Sequence, residues 1–590
     1  MELPGGLKSK VNYLYIINKC IFCYLIIKSK VMIKELITKS LSKVSSQKDI
    51  EVFIPENDSF GDFSTNLAMI LSKKEKKSLV DISEGLIEKL KKDISLKDYI
   101  EKIEFKSGFI NFWLKKEYLV RELKKIDLRK DEYGRENLGD GKIVVIDYSA
   151  PNIAKRFSIG HLRSTIIGQA IYNLYEFLGY KVVGDNHLGD WGTQFGTLLA
   201  EIEIQNADIN KLSINDLEKM YVEFNKKQEE DPKLHDKAKG WFKKLEEGDI
   251  KAKEIWEKIV KISMEEFDKI YDLLGVKIDF AYGESFYQDK MPTVIKELKD
   301  KKISKLSQGA EIVEFEGMPP AMIVKSDGTT TYFTRDLATI EYRLHNWNPD
   351  IFIYEVGSDQ TLHFRQLFET VKKLGWIKKN EFKHVGHGLY RFKEGKMSTR
   401  KGKTINLEEI LDMSIQKAKD IVGVSETSRG LKDIEINDLT LKVGIGAIKY
   451  FDLMHQPASD IIFDWEKIFV LEGNSAPYLQ YTHARTNSVL EKVRFKKEKD
   501  IDIKLNDEEI SVLRALIKFS DSIVSAAKSY SPNLLCNYLF SLAQKYNTFY
   551  NKHKIIGGEN ENFRLLLTKS VGQVLKNGLS LLGIESPSKM

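Results

Sequence analysis

The most regular hydrophobic pattern in the chain is Lys142-Ile-Val-Val-Ile-Asp-Tyr, an unbroken apolar run between the turn signals Gly139-Asp-Gly and Ser149-Ala-Pro-Asn. Such a run predicts a strand buried on both faces. Helical spacing follows from about Gly160 to Leu178, with Leu162, Ile166, Ile167, Ala170, Leu174 and Phe177 on one side. Gly179 is a natural stop, and Tyr180-Lys-Val-Val predicts a second strand. Strand, helix and strand at this spacing form a βαβ unit and predict a parallel sheet. The alternation returns later, with Ile351–Val356 as strand, Asp359–Leu374 as helix and His384–Leu389 as strand.

The segments around these units read differently. From Met32 to about Val120 the pattern is mixed, with helical spacing from Ile33 and from Asn66 and two strands broken at Gly108, so a small α+β module is expected. Residues 200–274 are dense in Lys and Glu at helical spacing, as in Trp241-Phe-Lys-Lys-Leu-Glu-Glu, and predict a helical insertion with a solvated face. From about Leu407 onward the chain reads as almost wholly helical, with Tyr478, Tyr481, Tyr546 and Tyr550 interleaved.

Composition bounds the answer without deciding it. The 590 residues are 42% hydrophobic and 30% charged, which excludes a disordered chain, a collagen and a polytopic membrane protein. Three cysteines exclude a disulfide scaffold and suit a reducing cytosol, so a cytoplasmic protein is expected. The net charge of +6 contains a net +4 from residues 1–31, with five lysines and one acid. Residues 471–590 carry 17 basic against 12 acidic side chains, a local excess that attracts a polyanion. The apolar stretch Val11–Ile27 is interrupted by Asn12, Asn18 and Lys19 and is too poor to span a bilayer; Cys20 and Cys23 are a lone pair without further zinc ligands. Met32 is the expected natural start, with residues 1–31 a dispensable extension. No structural metal and no membrane partner are expected.

Two phosphate-loop decoys fail on context. Gly402-Lys-Thr has Met397 where a P-loop needs glycine, and Gly444-Ile-Gly446 has Lys449 in place of a third glycine and no preceding strand. The informative constellation is Pro151-Asn-Ile-Ala-Lys-Arg-Phe-Ser-Ile-Gly-His-Leu-Arg-Ser-Thr, at the end of the first strand and the start of its helix. Backbone N–H groups at such a helix mouth favour an anion, and Gly160 lets a flat ligand approach. A structural histidine is the competing reading of His161. Lys396-Met-Ser-Thr-Arg-Lys-Gly lies just past the last strand of the second half, where a cationic loop can neutralise a pyrophosphate leaving group.

On these motifs the chain from Met32 to Met590 resembles an arginyl-tRNA synthetase, a class I aminoacyl-tRNA synthetase. The first motif resembles the HIGH signature and the second KMSKS. Ser149-Ala-Pro-Asn-Ile-Ala-Lys, Asn186-His-Leu-Gly-Asp-Trp-Gly-Thr-Gln-Phe-Gly and Leu471-Glu-Gly-Asn-Ser-Ala-Pro-Tyr-Leu-Gln-Tyr match the arginine enzyme in particular. Two positions depart from the pattern: Ser158 stands at the first HIGH position and Thr399 at the fourth KMSKS position.

The resemblance implies a multidomain α/β protein. Residues 32–125 would be an N-terminal domain that contacts the tRNA D-arm, with Tyr118 as its candidate. Residues 126–430 would be a Rossmann-like catalytic domain with its helical insertion, and residues 431–590 a helical anticodon-binding domain. Lys155, Ser158, Gly160, His161, Lys396, Met397 and Ser398 would be the catalytic set, Lys155 replacing the absent lysine at Thr399. Lys155, Gly160, His161, His363 and Lys396 would hold ATP, with Mg²⁺ on its phosphates. Ala150, Pro151, Asn152, His161, Glu284, Tyr332, Asp336 and Gln360 would hold arginine. The guanidinium is a planar fork of donors, so the two acids are the sharpest of these. Glu284 follows an expected strand and Asp336 comes soon after a strand expected at Thr329–Thr331; their competing readings are a rim salt bridge for Glu284 and a helix N-cap for Asp336, with Arg335 occupying its charge. Tyr478, Tyr481 and Tyr550 would stack on anticodon bases, core packing being the alternative. ATP, L-arginine and tRNA(Arg) are the implied partners, and a monomer is expected. A related nucleotidylyltransferase and a catalytically dead tRNA-binding paralogue are rival readings; the aromatic C-terminal helices disfavour the first and the acid pair the second.

Overall fold

A computed structural model describes residues 33–55, 57–392, 406–424, 430–493 and 504–590. Residues 1–31, with Cys20 and Cys23, lie outside this set. The chain forms two compact units: residues up to Gly134 with Arg485–Ser522 and Ser541–Asn577, and Arg135–Ala484 with Ile523–Phe540 and Gly578–Met590. Among the described residues, no helix is long and apolar enough to cross a membrane.

The first unit opens with α1 (Ile33–Ser45), β1 (Phe63–Thr65), α2 (Leu67–Glu75), α3 (Leu79–Lys91), β2 (Ile100–Lys106), β3 (Phe109–Leu114) and α4 (Lys116–Arg129). The strands form an antiparallel sheet in the order β1-β3-β2. Ser107 and Gly108 join β2 to β3 with φ of 53° and 90°, the pair of positive angles that a two-residue hairpin turn requires. Tyr118 on α4 is buried, edge-on to Tyr99 at 5.3 Å.

The second unit is built on a four-stranded parallel sheet in the order β10-β9-β4-β5. Its strands are β4 (Ile143–Asp147), β5 (Lys181–Asp185), β9 (Ile351–Gly357) and β10 (Glu381–His387). The crossover from β4 to β5 is α5 (Ile159–Phe177), which ends at Leu178 and Gly179 as the stop signal requires. Between β5 and β9 come α6 (Thr193–Gln205), α7 (Ile214–Glu230), α8 (Lys233–Glu246), α9 (Ile250–Leu274) and α10 (Met291–Asp300). Next are β6 (Ser304–Ser307), β7 (Ala310–Phe315), β8 (Met318–Val324) and α11 (Tyr332–Trp347); α12 (Thr361–Leu374) then links β9 to β10.

From β4 the chain crosses to β5 on one side and returns at β9 on the other, so strand order reverses there. In open α/β sheets, the crevice outside the carboxyl ends at such a reversal is the ligand site. Arg343 on α11, fully buried, donates to Asp147 at the end of β4 (2.7 Å) and to Asp185 at the end of β5 (2.9 Å). Removing either partner from a buried charge cluster of this kind costs about 3–5 kcal/mol.

One local expectation is corrected. The strand expected at Thr329–Thr331 is instead a return after the turn Asp327-Gly328, with one isolated bridge between Val324 and Thr330. The reason is local, since Asp327 Oδ1 accepts from the backbone and hydroxyl of Thr329 and closes the turn. The strand pattern belongs to β6, β7 and β8, an antiparallel meander whose Val313, Ala321 and Ile323 pack with α10 and α11. Among the described residues after Leu407 the named elements are helices, as expected, apart from the three-residue β12 (Ile461–Phe463), which pairs in parallel with β11 (Tyr390–Phe392). The helices there are α13 (Leu407–Val424), α14 (Asp433–Leu453), α15 (Trp465–Ile468), α16 (Ala476–Glu491), α17 (Asp507–Leu516), α18 (Phe519–Lys528), α19 (Asn533–Lys552) and α20 (Glu561–Leu581).

Candidate active site

The loop that leaves β4 is held in a costly conformation. Ser149, Ala150 and Ala154 have φ of 75°, 47° and 63°, a region that non-glycine residues occupy at about 1–3 kcal/mol each. Hydrogen bonds over-determine it: Ser149 N–H donates to Ser164, Ala150 N–H to Asn186 and Ala154 N–H to Ser263, each at 2.9 Å. This presents Pro151 and Asn152 to the segment after β5, where Ile153 N–H donates to the Gly189 carbonyl at 3.1 Å and Gly189 N–H to that of Pro151 at 3.2 Å. A Cβ on Gly189 would lie 2.4 Å from Asn152 Oδ1, so only glycine leaves room for that amide.

The same segment carries the acid wall. Glu284 N–H donates to the Leu188 carbonyl at 3.0 Å, which docks the short 3-10 turn Glu284–Tyr287 against it; no extended strand precedes Glu284, only a bridge from Phe280 to Asp185. Asp190 accepts from the backbone and hydroxyl of Ser285 at 2.8 and 2.6 Å, with Gly283 packed against its carboxylate. From α11, Asp336 accepts from His363 Nε2 at 2.6 Å and lies 3.9 Å from His187 Nε2. Asp336 is inside the helix, whose N-cap position is Thr331, so the capping alternative is overturned. Arg335 turns not to Asp336 but to Glu284, with Nη1 3.3 Å from Oε2. Burial pushes the Glu284 carboxyl up, Arg335 pulls it down, and Asp336 and Asp190 push it up again, to about 7. Acids crowded in this way favour an incoming cation.

The helix mouth is chemically opposite. Ser158 begins α5 and its N–H donates to Nδ1 of His161 at 3.2 Å. Nδ1 is therefore the acceptor and Nε2 carries the proton. Burial, then the nearby charge of Lys155, hold His161 down to about 4, so it is a neutral donor at physiological pH. Gly160 is exposed, its φ is ordinary, and a Cβ there would meet only Ser158 Oγ, at 3.4 Å. The chain's own packing gives no reason for glycine at this point. Lys155 is half-buried, with Nζ 5.5 Å from the centre of the Tyr221 ring. Tyr221 and the exposed Tyr332 both line a cavity of about 290 Å³, with Trp191, Asn225 and His235.

The structure thus brings together Ala150, Pro151, Asn152 and Glu284 around the Gly189 segment, and Asp336 with His363. Gln360 is exposed at the start of α12. Lys396, Met397 and Ser398 lie outside the described residues. Tyr118 is in the core of its module, against its expected role at a surface. Tyr478 packs edge-on to Phe540 at 5.6 Å, while Tyr481 and Tyr550 expose 39% and 36% of their surface. Sequence reasoning missed His187, Asp190 and Arg335 as site residues. The first two lie inside the quoted Asn186–Gly196 match, where a histidine and an acid beside glycines were the available signal. It also missed the buried pair of Glu355 and His387 (3.0 Å) at the sheet's carboxyl end.

A strand-order reversal with a neutral histidine at a helix mouth and an acid wall beside it makes up the candidate site. The family model described as class I tRNA synthetases (R), catalytic domain, matches residues 122–465, and the fold is that of a class I tRNA synthetase. Models of the arginyl-tRNA synthetase N-terminal domain and the DALR anticodon-binding domain match residues 32–114 and 479–590. The arginine–tRNA ligase of Fusobacterium nucleatum is 40% identical over 555 residues, 92% of this chain and 96% of the relative. That of Clostridium kluyveri is 41% identical over 552 residues, 91% and 95% of the two chains. The arginyl-tRNA synthetase structure from Plasmodium falciparum superposes with a TM-score of 0.79 at 29% identity, covering 95% of this chain and 98% of that one. The Thermus thermophilus structure, at 21% identity and a TM-score of 0.80 over 95% and 99%, shares the fold. The chain belongs to the arginyl-tRNA synthetase family.

Proposed function

We propose that Glu284 and Asp336 receive the guanidinium of arginine while the mouth of α5 receives the triphosphate of ATP, so that carboxylate and α-phosphorus meet at the strand reversal. The activity of the family, ATP-dependent attachment of arginine to tRNA(Arg), is the activity of this chain. The observation that carries the residue assignment is the acid wall: Asp336 and Asp190 both raise the Glu284 carboxyl, and Glu284 is hydrogen-bonded to Leu188, the neighbour of the Gly189 that pairs with the Asn152 loop. An apolar or neutral substrate would offer no charge to offset the crowding of these acids in a partly desolvated site.

In this reading Asn152, Ala150, Pro151, Tyr332 and Gln360 frame the amino acid. His161 donates from Nε2 to a phosphate oxygen, Gly160 lets the nucleotide lie on the backbone, and Lys155 supplies the charge that Thr399 lacks. His363 acts through Asp336 and faces the nucleotide. Mg²⁺ travels on the ATP phosphates, since it dehydrates reluctantly and is commonly held by phosphates and water. Attack of the arginine carboxylate on the α-phosphorus releases pyrophosphate, and the terminal adenosine 2′-OH then attacks the adenylate carbonyl. Positioning and electrostatics suffice for both steps. The exposure of Tyr481 and of Tyr550, the latter under Arg485 at 4.9 Å, supports both as stacking platforms for RNA bases.

Arginine-dependent ATP–pyrophosphate exchange, with and without tRNA(Arg), tests this. Glu284→Gln and Asp336→Asn are each expected to reduce kcat/KM for arginine by about 10²-fold or more, from loss of a charge-assisted bond and an unpaired donor. Unchanged exchange and unchanged rejection of lysine would overturn the assignment.

A further inference from the structure

Arg335 stands in the first turn of α11 between the exposed Tyr332 and Asp336. Its side chain is 9% exposed. The guanidinium lies 5.2 Å from the centre of the Tyr332 ring, and its Nη1 lies 3.3 Å from Glu284 Oε2. Nε has no hydrogen-bond partner among the described residues. A buried arginine frequently meets a carboxylate through two parallel bonds. Here Nε stays outside the pairing and part of the fork is unsatisfied. A carboxylate has about four acceptor sites, enough for two guanidinium groups.

We propose that Arg335 is a positioning residue for arginine recognition, a resident guanidinium that aims Glu284 in the empty site and then shares it with the guanidinium of the substrate. This rests on the reading of Glu284 given above. The groups facing Glu284 are Arg335, Tyr332 and Asp336 on α11 and Asp190 from the segment after β5. His363 and His187 face the Asp336 side of the wall. Burial and both acids push Glu284 toward its neutral form, and Arg335 alone opposes them. A neutral Glu284 would offer a hydroxyl to a substrate fork that has only donors, and arginine would first have to expel that proton.

The test is the KM for arginine from pH 6 to pH 9, measured by pyrophosphate exchange with the whole enzyme and tRNA(Arg). In the wild type KM falls as pH rises and levels off above an inflection at about 7. With Arg335→Gln the inflection moves up by about one unit, so KM rises roughly fivefold at pH 7, approaches tenfold at pH 6 and converges with the wild type at pH 9. kcat stays flat over the same range. Arg335→Lys restores the cation and returns the inflection to its wild-type place, which keeps the test open should the glutamine variant not fold. An increase in KM by the same factor at every pH, no increase at all, or a lysine variant with a raised inflection would overturn the proposal. Glu284→Gln separates the two readings: it raises KM and removes the inflection. If it does neither, the assignment of Glu284 itself has failed; if it does both while Arg335→Gln leaves the inflection in place, only the role of Arg335 has.

Discussion

The acid wall and the mouth of α5 lie in one catalytic unit, yet burial acts on them in opposite senses. At the wall, three carboxylates share a desolvated space, and Glu284 is raised to about 7. At the helix mouth a single imidazole is desolvated beside a lysine, and His161 is lowered to about 4. Desolvation disfavours whichever form is charged, so the same burial neutralises an acid and a base alike. Under the assignment proposed above, a guanidinium would restore charge to the wall, whereas a phosphate would need only the neutral Nε2–H donor. The first side would then recognise a charge and the second hold one without titrating.

The largest effect expected from breaking this contrast is on the wall. Glu284→Gln combined with Asp336→Asn should lower kcat/KM for arginine by about 10³–10⁴-fold while leaving the KM for ATP nearly unchanged, in steady-state exchange kinetics. His161→Ala should act the other way, lowering kcat by about 10²-fold with little change in the KM for arginine. A smaller effect concerns stability. Glu284 holds a proton in the folded protein that the unfolded chain has lost above its ordinary value of 4.5, so the folded state weakens as pH rises from about 4.5 to about 7. That slope is worth at most roughly 3 kcal/mol. Thermal melts of the wild type and Glu284→Gln between pH 5 and 8 should show the slope only in the former. The smallest effect falls on Ser158, whose Oγ lies 3.1 Å from His161 Nδ1. Ser158→Ala should cost about 0.5–1 kcal/mol, seen as a shift of a degree or two in Tm, because its backbone N–H still orders the ring.

Legibility from sequence followed the range of the interactions. The strand of Ile143–Asp147, the helix stop at Gly179 and the hairpin at Gly108 were all readable, because each depends on neighbours a few residues away. The meander at Ser304–Val324 escaped, since Met318-Pro-Pro-Ala lacks the alternation that marks a strand, and the strand pattern at Thr329 was mistaken for one although the Asp327 side chain closes a turn there. Within the site, Asn152, Glu284 and Asp336 stood out by motif. Arg335 was assigned to its sequence neighbour Asp336, yet its partner is Glu284, an ion pair that only the docking of α11 against the Glu284 turn creates.

The strands of the parallel sheet with their crossover helices, the Pro151–Thr165 motif at the end of β4 and the family were thus legible in the sequence alone, because periodicity and short-range backbone chemistry are written along the chain. Which acids share a space, which cation opposes them, and that Tyr118 is core while Tyr481 and Tyr550 remain at the surface were decided by the tertiary structure. The physical reason is that desolvation and Coulomb interaction depend on distance in space, and folding brings together groups that the sequence keeps far apart.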